Sequence, residues 1–291
     1  MDNTTEMFGG RVKTDAVELA YVVKSSGEPV VLIHGGVFAD AFYPLLKEPA
    51  LNKHYRLISY HRRGYGRSTH QEGTSNVKRE AADCLALIRE LGIESAHVVG
   101  ISYGGLIALQ LTFDAPDKVN SLSLLEPALV NLGPANPELE KNVAQLVSLY
   151  QSGNKAKAID AFQRFVLGED EQYRAAYDKV MPDGYWDQVV RDADTLFRGD
   201  FPAVMSFQFT EQVAKRVKQP VLFMRGSNGL PGGLEIQQVI QSWLPQTETF
   251  LLPNATHGMQ MRNPLGAAEA LSRFFAKHPL KPMKQAISRG S

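Results

Sequence analysis

Short apolar runs alternate with stretches of three- and four-residue apolar periodicity through the first 125 residues, and few architectures accommodate that rhythm. Val17 to Val23 reads as a strand, as do Val30 to Ile33, Arg56 to Tyr60, Ala96 to Val99 and Leu122 to Leu125. Between them, Val77 to Leu91 places Ala81, Cys84, Leu85, Ile88 and Leu91 on one helical stripe, and Gly92 supplies the stop. Leu106 to Phe113 repeats the helical pattern. Short apolar strands separated by helices argue for an α/β fold, with a parallel sheet covered on both faces.

The rhythm changes after Pro127. From Pro137 to about Phe209 helical patterns dominate, as in Ala156, Ile159, Phe162, Phe165 and Val166, and no buried strand stands out. Strand signals resume at Pro220 to Met224 and at Thr249 to Leu252. A helical block that interrupts a parallel sheet reads as a cap over the strand C-termini, where open α/β sheets place their ligands. The division expected is a core of residues 11–127 and 210–278, a helical cap of 128–209, and a mobile tail of 279–291.

Charge narrows the function classes. Lys plus Arg total 31 and Asp plus Glu total 31, so the formal net charge is zero. Such a surface has no general attraction for nucleic acid or anionic membranes, which leaves a small-molecule substrate as the expected partner. Cys84 is the only cysteine, so an intrachain disulfide is impossible; its helical, apolar setting suits a small buried thiol. The first ten residues lack the apolar core of a signal peptide, and no apolar run reaches membrane-spanning length. A cytoplasmic location is the expectation.

The chemistry-bearing signal is Gly100-Ile101-Ser102-Tyr103-Gly104, with an apolar strand before it and a helical pattern after it. A tight strand-to-helix turn exposes the serine oxygen, and the two glycines remove side chains that would clash there. A phosphate loop would need a Gly-Lys-Ser/Thr ending, which is missing. His34-Gly35-Gly36 ends an earlier strand and lets backbone amides approach a developing oxyanion. Tyr103 N–H is one expected donor; Gly36 is the first choice for the other and Val37 the second. His34 reads as a buttress of that loop. Asn254-Ala255-Thr256-His257-Gly258 follows the last strand and puts His257 where such an enzyme needs its base. No histidines form a metal pair at i, i+4, so neither a metal nor a cofactor is expected.

The order HGG, RGxGxS, GxSxGG and a late H-G resembles the α/β-hydrolase superfamily, and the similarity runs from roughly Arg11 to Lys277. The resemblance implies a mostly parallel eight-stranded sheet with helices on both faces and a helical cap inserted after the sixth strand. Tyr60 to Ser68 is similar to a turn common in that superfamily, with its arginines, Arg62, Arg63 and Arg67, fixing structure.

The acid departs from the pattern of many relatives, which carry an Asp after the seventh strand. Here that strand runs into Gly226-Ser227-Asn228-Gly229-Leu230-Pro231-Gly232-Gly233, which holds no carboxylate. Glu235 comes next, at a helix start where the dipole favours it without chemistry. Glu126 closes the Leu122 strand before Pro127, and some superfamily members carry their acid there. Glu126 is therefore the expected triad acid, with a dyad or a distant Asp as the alternatives. The reading that follows is a serine hydrolase cleaving an ester, lactone or thioester of a small, apolar substrate through an acyl-enzyme. A C–C bond hydrolase, a cofactor-free oxygenase and a non-catalytic receptor are the alternatives. Tyr173, Tyr177, Met181, Tyr185, Trp186, Phe197, Met205 and Phe207 could line the pocket or form ordinary core.

Overall fold

Successive residues of one strand face two different cores. In β3 (Glu28–Ile33), Val31 and Ile33 join one apolar cluster while Val30 and Leu32 join another, and β7 (Val221–Gly226) divides Val221 and Phe223 from Leu222 and Met224 in the same way. This is the period-two alternation of a strand covered on both faces, and it explains why these strands read as continuous apolar runs. The structure, a computed structural model, describes residues 8–70, 76–134, 137–168 and 173–280.

The eight strands are β1 (Phe8–Lys13), β2 (Glu18–Lys24), β3, β4 (Tyr55–Tyr60), β5 (Ala96–Ile101), β6 (Val119–Leu125), β7 and β8 (Thr247–Leu252). They form one sheet in the order β1-β2-β4-β3-β5-β6-β7-β8. β2 pairs antiparallel with β1 and β4, and every other pairing is parallel. The expected eight-stranded, mostly parallel α/β sheet is what the chain forms. β1 lies outside the run of strands read from the sequence: it is an edge strand whose residues are mostly exposed, so its apolar signal is thin.

Helices α2 (Val77–Glu90), α3 (Tyr103–Asp114) and α10 (Gly233–Trp243) cover one face, contributing Cys84, Leu87, Leu106, Leu109 and Ile240 to its core. The other face is covered by α1 (Pro49–Asn52), α11 (Met259–Arg262) and α12 (Pro264–Lys277), through Leu51, Met259, Leu271 and Phe275. Cys84 is fully buried, and burial pushes its thiol up to about 12. Asn76 caps α2 by accepting from Arg79 N at 2.9 Å, which fixes where that helix begins.

Between β6 and β7 the chain leaves the sheet for α4 (Pro137–Gln151), α5 (Lys155–Val166), α6 (Tyr173–Tyr177), α7 (Tyr185–Arg191), a π-helical turn Thr195–Asp200, α8 (Phe201–Ser206) and α9 (Glu211–Ala214). A third apolar cluster joins this insertion to the loop after β3: Val37, Phe38 and Ala41 pack with Ile159, Phe162, Tyr177, Tyr185 and Leu196. The tail expected from residue 279 lies, from 281 on, outside the described residues. Among the described residues no helix is long and apolar enough to cross a membrane.

Candidate active site

Three neighbouring strands, β3, β5 and β6, end at one edge of the sheet, and each is followed by a non-glycine residue with positive φ: Val37 at 72°, Ser102 at 52° and Glu126 at 39°. L-residues rarely hold such angles, and they cluster where a tight turn aims a side chain. At Ser102 the turn is so close that glycine is obligatory on both sides. A Cβ on Gly100 would run into the Gly104 carbonyl, and one on Gly104 into the carbonyls of Ile33 and His34. The serine N–H donates to Leu125 O at 3.0 Å, and its carbonyl accepts from Gly105 and Ala128. α3 starts at Tyr103, one residue later than the nucleophile candidate and earlier than its apolar pattern alone suggests.

Gly104→Ala is expected to cost about 3 kcal/mol or more, because the Ile33–His34 backbone that the intruding methyl meets cannot yield. Thermal unfolding measures this, and a melting temperature equal to the parent's would contradict the contact.

The two glycines of His34-Gly35-Gly36 are needed for different reasons. A Cβ on Gly35 would sit 3.1 Å from Ser102 Cβ, and one on Gly36 would sit 2.7 Å from Leu196 Cδ1 of the insertion. Behind them His34 is fully buried. Its Nε2 accepts the Arg62 N–H at 2.9 Å, so the proton sits on Nδ1, which donates to Gly35 O at 2.7 Å. Burial, reinforced by the Arg62 charge, holds this imidazole well below its ordinary range and keeps it neutral. His34 is thus the buttress expected for the loop.

Glu126 and His257 lie 131 residues apart in sequence and meet across the sheet edge: His257 Nδ1 is 2.7 Å from Glu126 Oε2. Both side chains are buried, at 4% and 5% exposure. Glu126 Oε1 accepts the Gly226 N–H at 2.9 Å, so both carboxylate oxygens are occupied. The glycine-rich turn after β7 leaves room for this longer acid. A Cβ on Gly229 would overlap the Glu126 carboxylate, and one on Gly226 would meet the Ala255 carbonyl. An ionised carboxylate can only accept, so Nδ1 carries the proton and Nε2 keeps its lone pair. An imidazole held this way can take a proton from a hydroxyl. Glu235 lies in the first turn of α10, and no contact joins it to His257 among the described residues.

Ser102 and His257 line one cavity together with Gly35, Gly36, Phe38 and Ala41 and with Phe162, Val166 and Leu167 of the insertion. None of the eight aromatic and Met residues singled out in the sequence lines it. Tyr173, Tyr177, Met181, Tyr185 and Phe197 are instead buried in the cluster that joins the insertion to the loop after β3, and Met205 is 64% exposed. Tyr103 also turns away: its hydroxyl donates to Glu80 Oε1 at 3.0 Å, leaving its backbone N–H, at the start of α3, as the part beside Ser102.

Arg62 and Arg63 are held in buried ion pairs with α2, and Arg62 also reaches Asp200 of the insertion. Arg63 forms a two-bond pair with Asp83, at 2.6 and 2.7 Å. Arg62 is buried between Glu80 at 2.7 Å and Asp200 at 2.6 Å, and Tyr65 donates to the same Asp200 oxygen. One guanidinium faces two carboxylates here. Burial, with the neighbouring Glu80 charge, outweighs the pull of Arg62 and pushes Asp200 up to about 6. Asp192 accepts from Gly66 N at 2.6 Å and Thr195 donates to Gly64 O at 2.7 Å, so the insertion is fastened to the Tyr60–Ser68 turn through Asp192, Thr195 and Asp200. Among the described residues no group of three or more His, Cys, Asp or Glu is arranged to hold a metal ion.

Compared with known proteins, the chain matches the family model of the alpha/beta hydrolase fold over residues 28–264. It is 24% identical over 262 residues to an uncharacterized carboxylesterase of Bacillus subtilis, covering 88% of this chain and 82% of that protein. It is 25% identical over 259 residues to an (E)-2-((N-methylformamido)methylene)succinate hydrolase of Acinetobacter baylyi, covering 78% of this chain and 94% of that one. A thermophilic esterase from Thermogutta terrifontis, solved with malate bound, matches in structure with a TM-score of 0.77 at 18% identity, over 94% of this chain and 100% of that one. That last likeness is one of fold.

Proposed function

The chain belongs to the alpha/beta hydrolase fold family, and from that premise we propose that it is a serine carboxylesterase acting on a small, largely apolar ester. The observation that carries the reading is the 2.7 Å His257–Glu126 pair, buried beside a cavity that Ser102 shares. Ser102 Oγ attacks the ester carbonyl while His257 Nε2 takes its proton, and Glu126 stabilises the imidazolium that results. The Tyr103 N–H, with a second N–H from Gly36 or Val37, receives the developing oxyanion. His257 then returns its proton to the leaving alcohol, and water releases the acyl group from Ser102 by the same steps in reverse order of roles. In this reading the α4–α9 insertion acts as a cap, which its Phe162, Val166 and Leu167 support by lining the same cavity as the serine. The carboxylesterase relative in Bacillus subtilis supports the choice of bond.

The test is hydrolysis of p-nitrophenyl esters of increasing acyl length, alongside a lactone and a thioester, paired with labelling by a fluorophosphonate. The expected outcome is fastest turnover of a short-chain ester and stoichiometric labelling at Ser102. A protein that neither labels nor turns over any of these would be a receptor on a hydrolase scaffold, and the proposal would fail.

A further inference from the structure

The cavity beside Ser102 holds a polar side chain that ester hydrolysis leaves unused. Ser102, His257 and Gln260 are the polar side chains among its lining residues, and the walls around them are glycine, alanine, phenylalanine, aliphatic side chains and Met261. Gln260 sits on α11, three residues past His257, and is 2% exposed. Its Oε1 is buried with no hydrogen-bond partner among the described residues. Native proteins leave few buried polar atoms in that condition, since an unpaired amide loses its hydration without compensation. Its neighbours Met259 and Met261 are packed among apolar side chains and offer it nothing. Gln260 lines the cavity, and a turn of its amide would let a bound substrate supply the partner that its sealed oxygen lacks.

We propose that Gln260 is a specificity-determining residue that hydrogen-bonds a neutral hydroxyl a few bonds from the scissile carbonyl, making short hydroxyacyl esters the preferred substrate class. The inference rests on the esterase reading of the same cavity. A hydroxyl is the fitting group because it both donates and accepts, so it satisfies the amide whichever way the amide is turned. A carboxylate is disfavoured, because no lysine or arginine lines the cavity to compensate it. Apolar walls with one oriented amide are the usual composition of a site that selects by placing a single polar group.

The test compares kcat/KM for ethyl 3-hydroxybutanoate and ethyl butanoate in the parent protein and in Gln260→Met, which keeps the side chain's length. Gln260→Leu serves as the second variant if the first does not accumulate. The hydroxy-to-plain ratio is expected to fall by about ten-fold, since a neutral substrate hydrogen bond is lost and the rest of the site is common to both esters. The variant should also melt at or above the parent's temperature, because no internal hydrogen bond is broken. An unchanged ratio, with both esters turned over, would overturn the assignment and leave the amide to an ordered water. A clearly lower melting temperature would overturn it too, by showing that Gln260 has a structural partner. If the parent turns over neither ester and Ser102 stays unlabelled, the esterase reading fails and this assignment falls with it.

Discussion

Ser102→Ala should lose ester turnover by a factor on the order of a million, the loss seen when a triad nucleophile is removed from a well-studied protease. Fluorophosphonate labelling should vanish with it. The fold should survive, because the serine is placed by its backbone: the N–H held by Leu125 O, and the carbonyl held by Gly105 and Ala128, are untouched by the substitution. Activity has to be measured on protein purified free of host esterases, with the melting temperature recorded on the same sample. Near-parental hydrolysis by a correctly folded variant would end the serine-hydrolase proposal. A collapse of both activity and melting temperature would instead mean that the hydroxyl supports the turn.

Glu126→Gln should cost about ten-thousand-fold in kcat, the size of the corresponding change in a serine-protease triad. The reason is visible in the two bonds the carboxylate accepts. Gly226 N–H can only donate, so the new amide must turn its oxygen toward it, as Oε1 does now at 2.9 Å. That places the amide NH2 opposite His257 Nδ1, where Glu126 Oε2 accepts at 2.7 Å today. Nδ1 must then become the acceptor, the ring proton moves to Nε2, and the lone pair that would deprotonate Ser102 is gone. Both hydrogen bonds survive in number, so the melting temperature should move little. If Glu126 were only a structural plug before the insertion, kcat of the folded protein would stay near the parent's. Glu235→Gln would then be the next variant to measure.

Much of the scaffold is legible in the sequence because burial on two faces writes a simple signal. All six residues of β5 are buried, and its apolar run ends at the glycine that lets the turn form. Glu126 stands out only beside the resemblance, which implies an acid after the seventh or the sixth strand; Gly226 to Gly233 holds no carboxylate, and Glu126 lies against His257. Side-chain direction is harder to read. Tyr173, Tyr177 and Phe162 all belong to an apolar, helical block, and only their packing decides that Phe162 faces the cavity. Polar partners across long separations are equally hidden. Arg62 announces a need for counter-charge, but nothing local says that Asp200, 138 residues away, supplies it. Gln260 carries one faint signal: a polar residue between Met259 and Met261, just past a candidate base.

The positive φ angles at Val37, Ser102 and Glu126 bear on how this enzyme could be engineered. Each holds an L-residue in a region that costs about 1–2 kcal/mol, and glycine there escapes most of that penalty. A thermostability selection run without an activity screen would therefore favour glycine at 102, a position the proposed chemistry cannot spare, whereas at 126 the loss of the buried bonds to Gly226 and His257 offsets the relief. Robustness and turnover pull against each other at this sheet edge. Directed evolution for heat tolerance should hold these positions fixed and seek its gains in the insertion and on the outer helices.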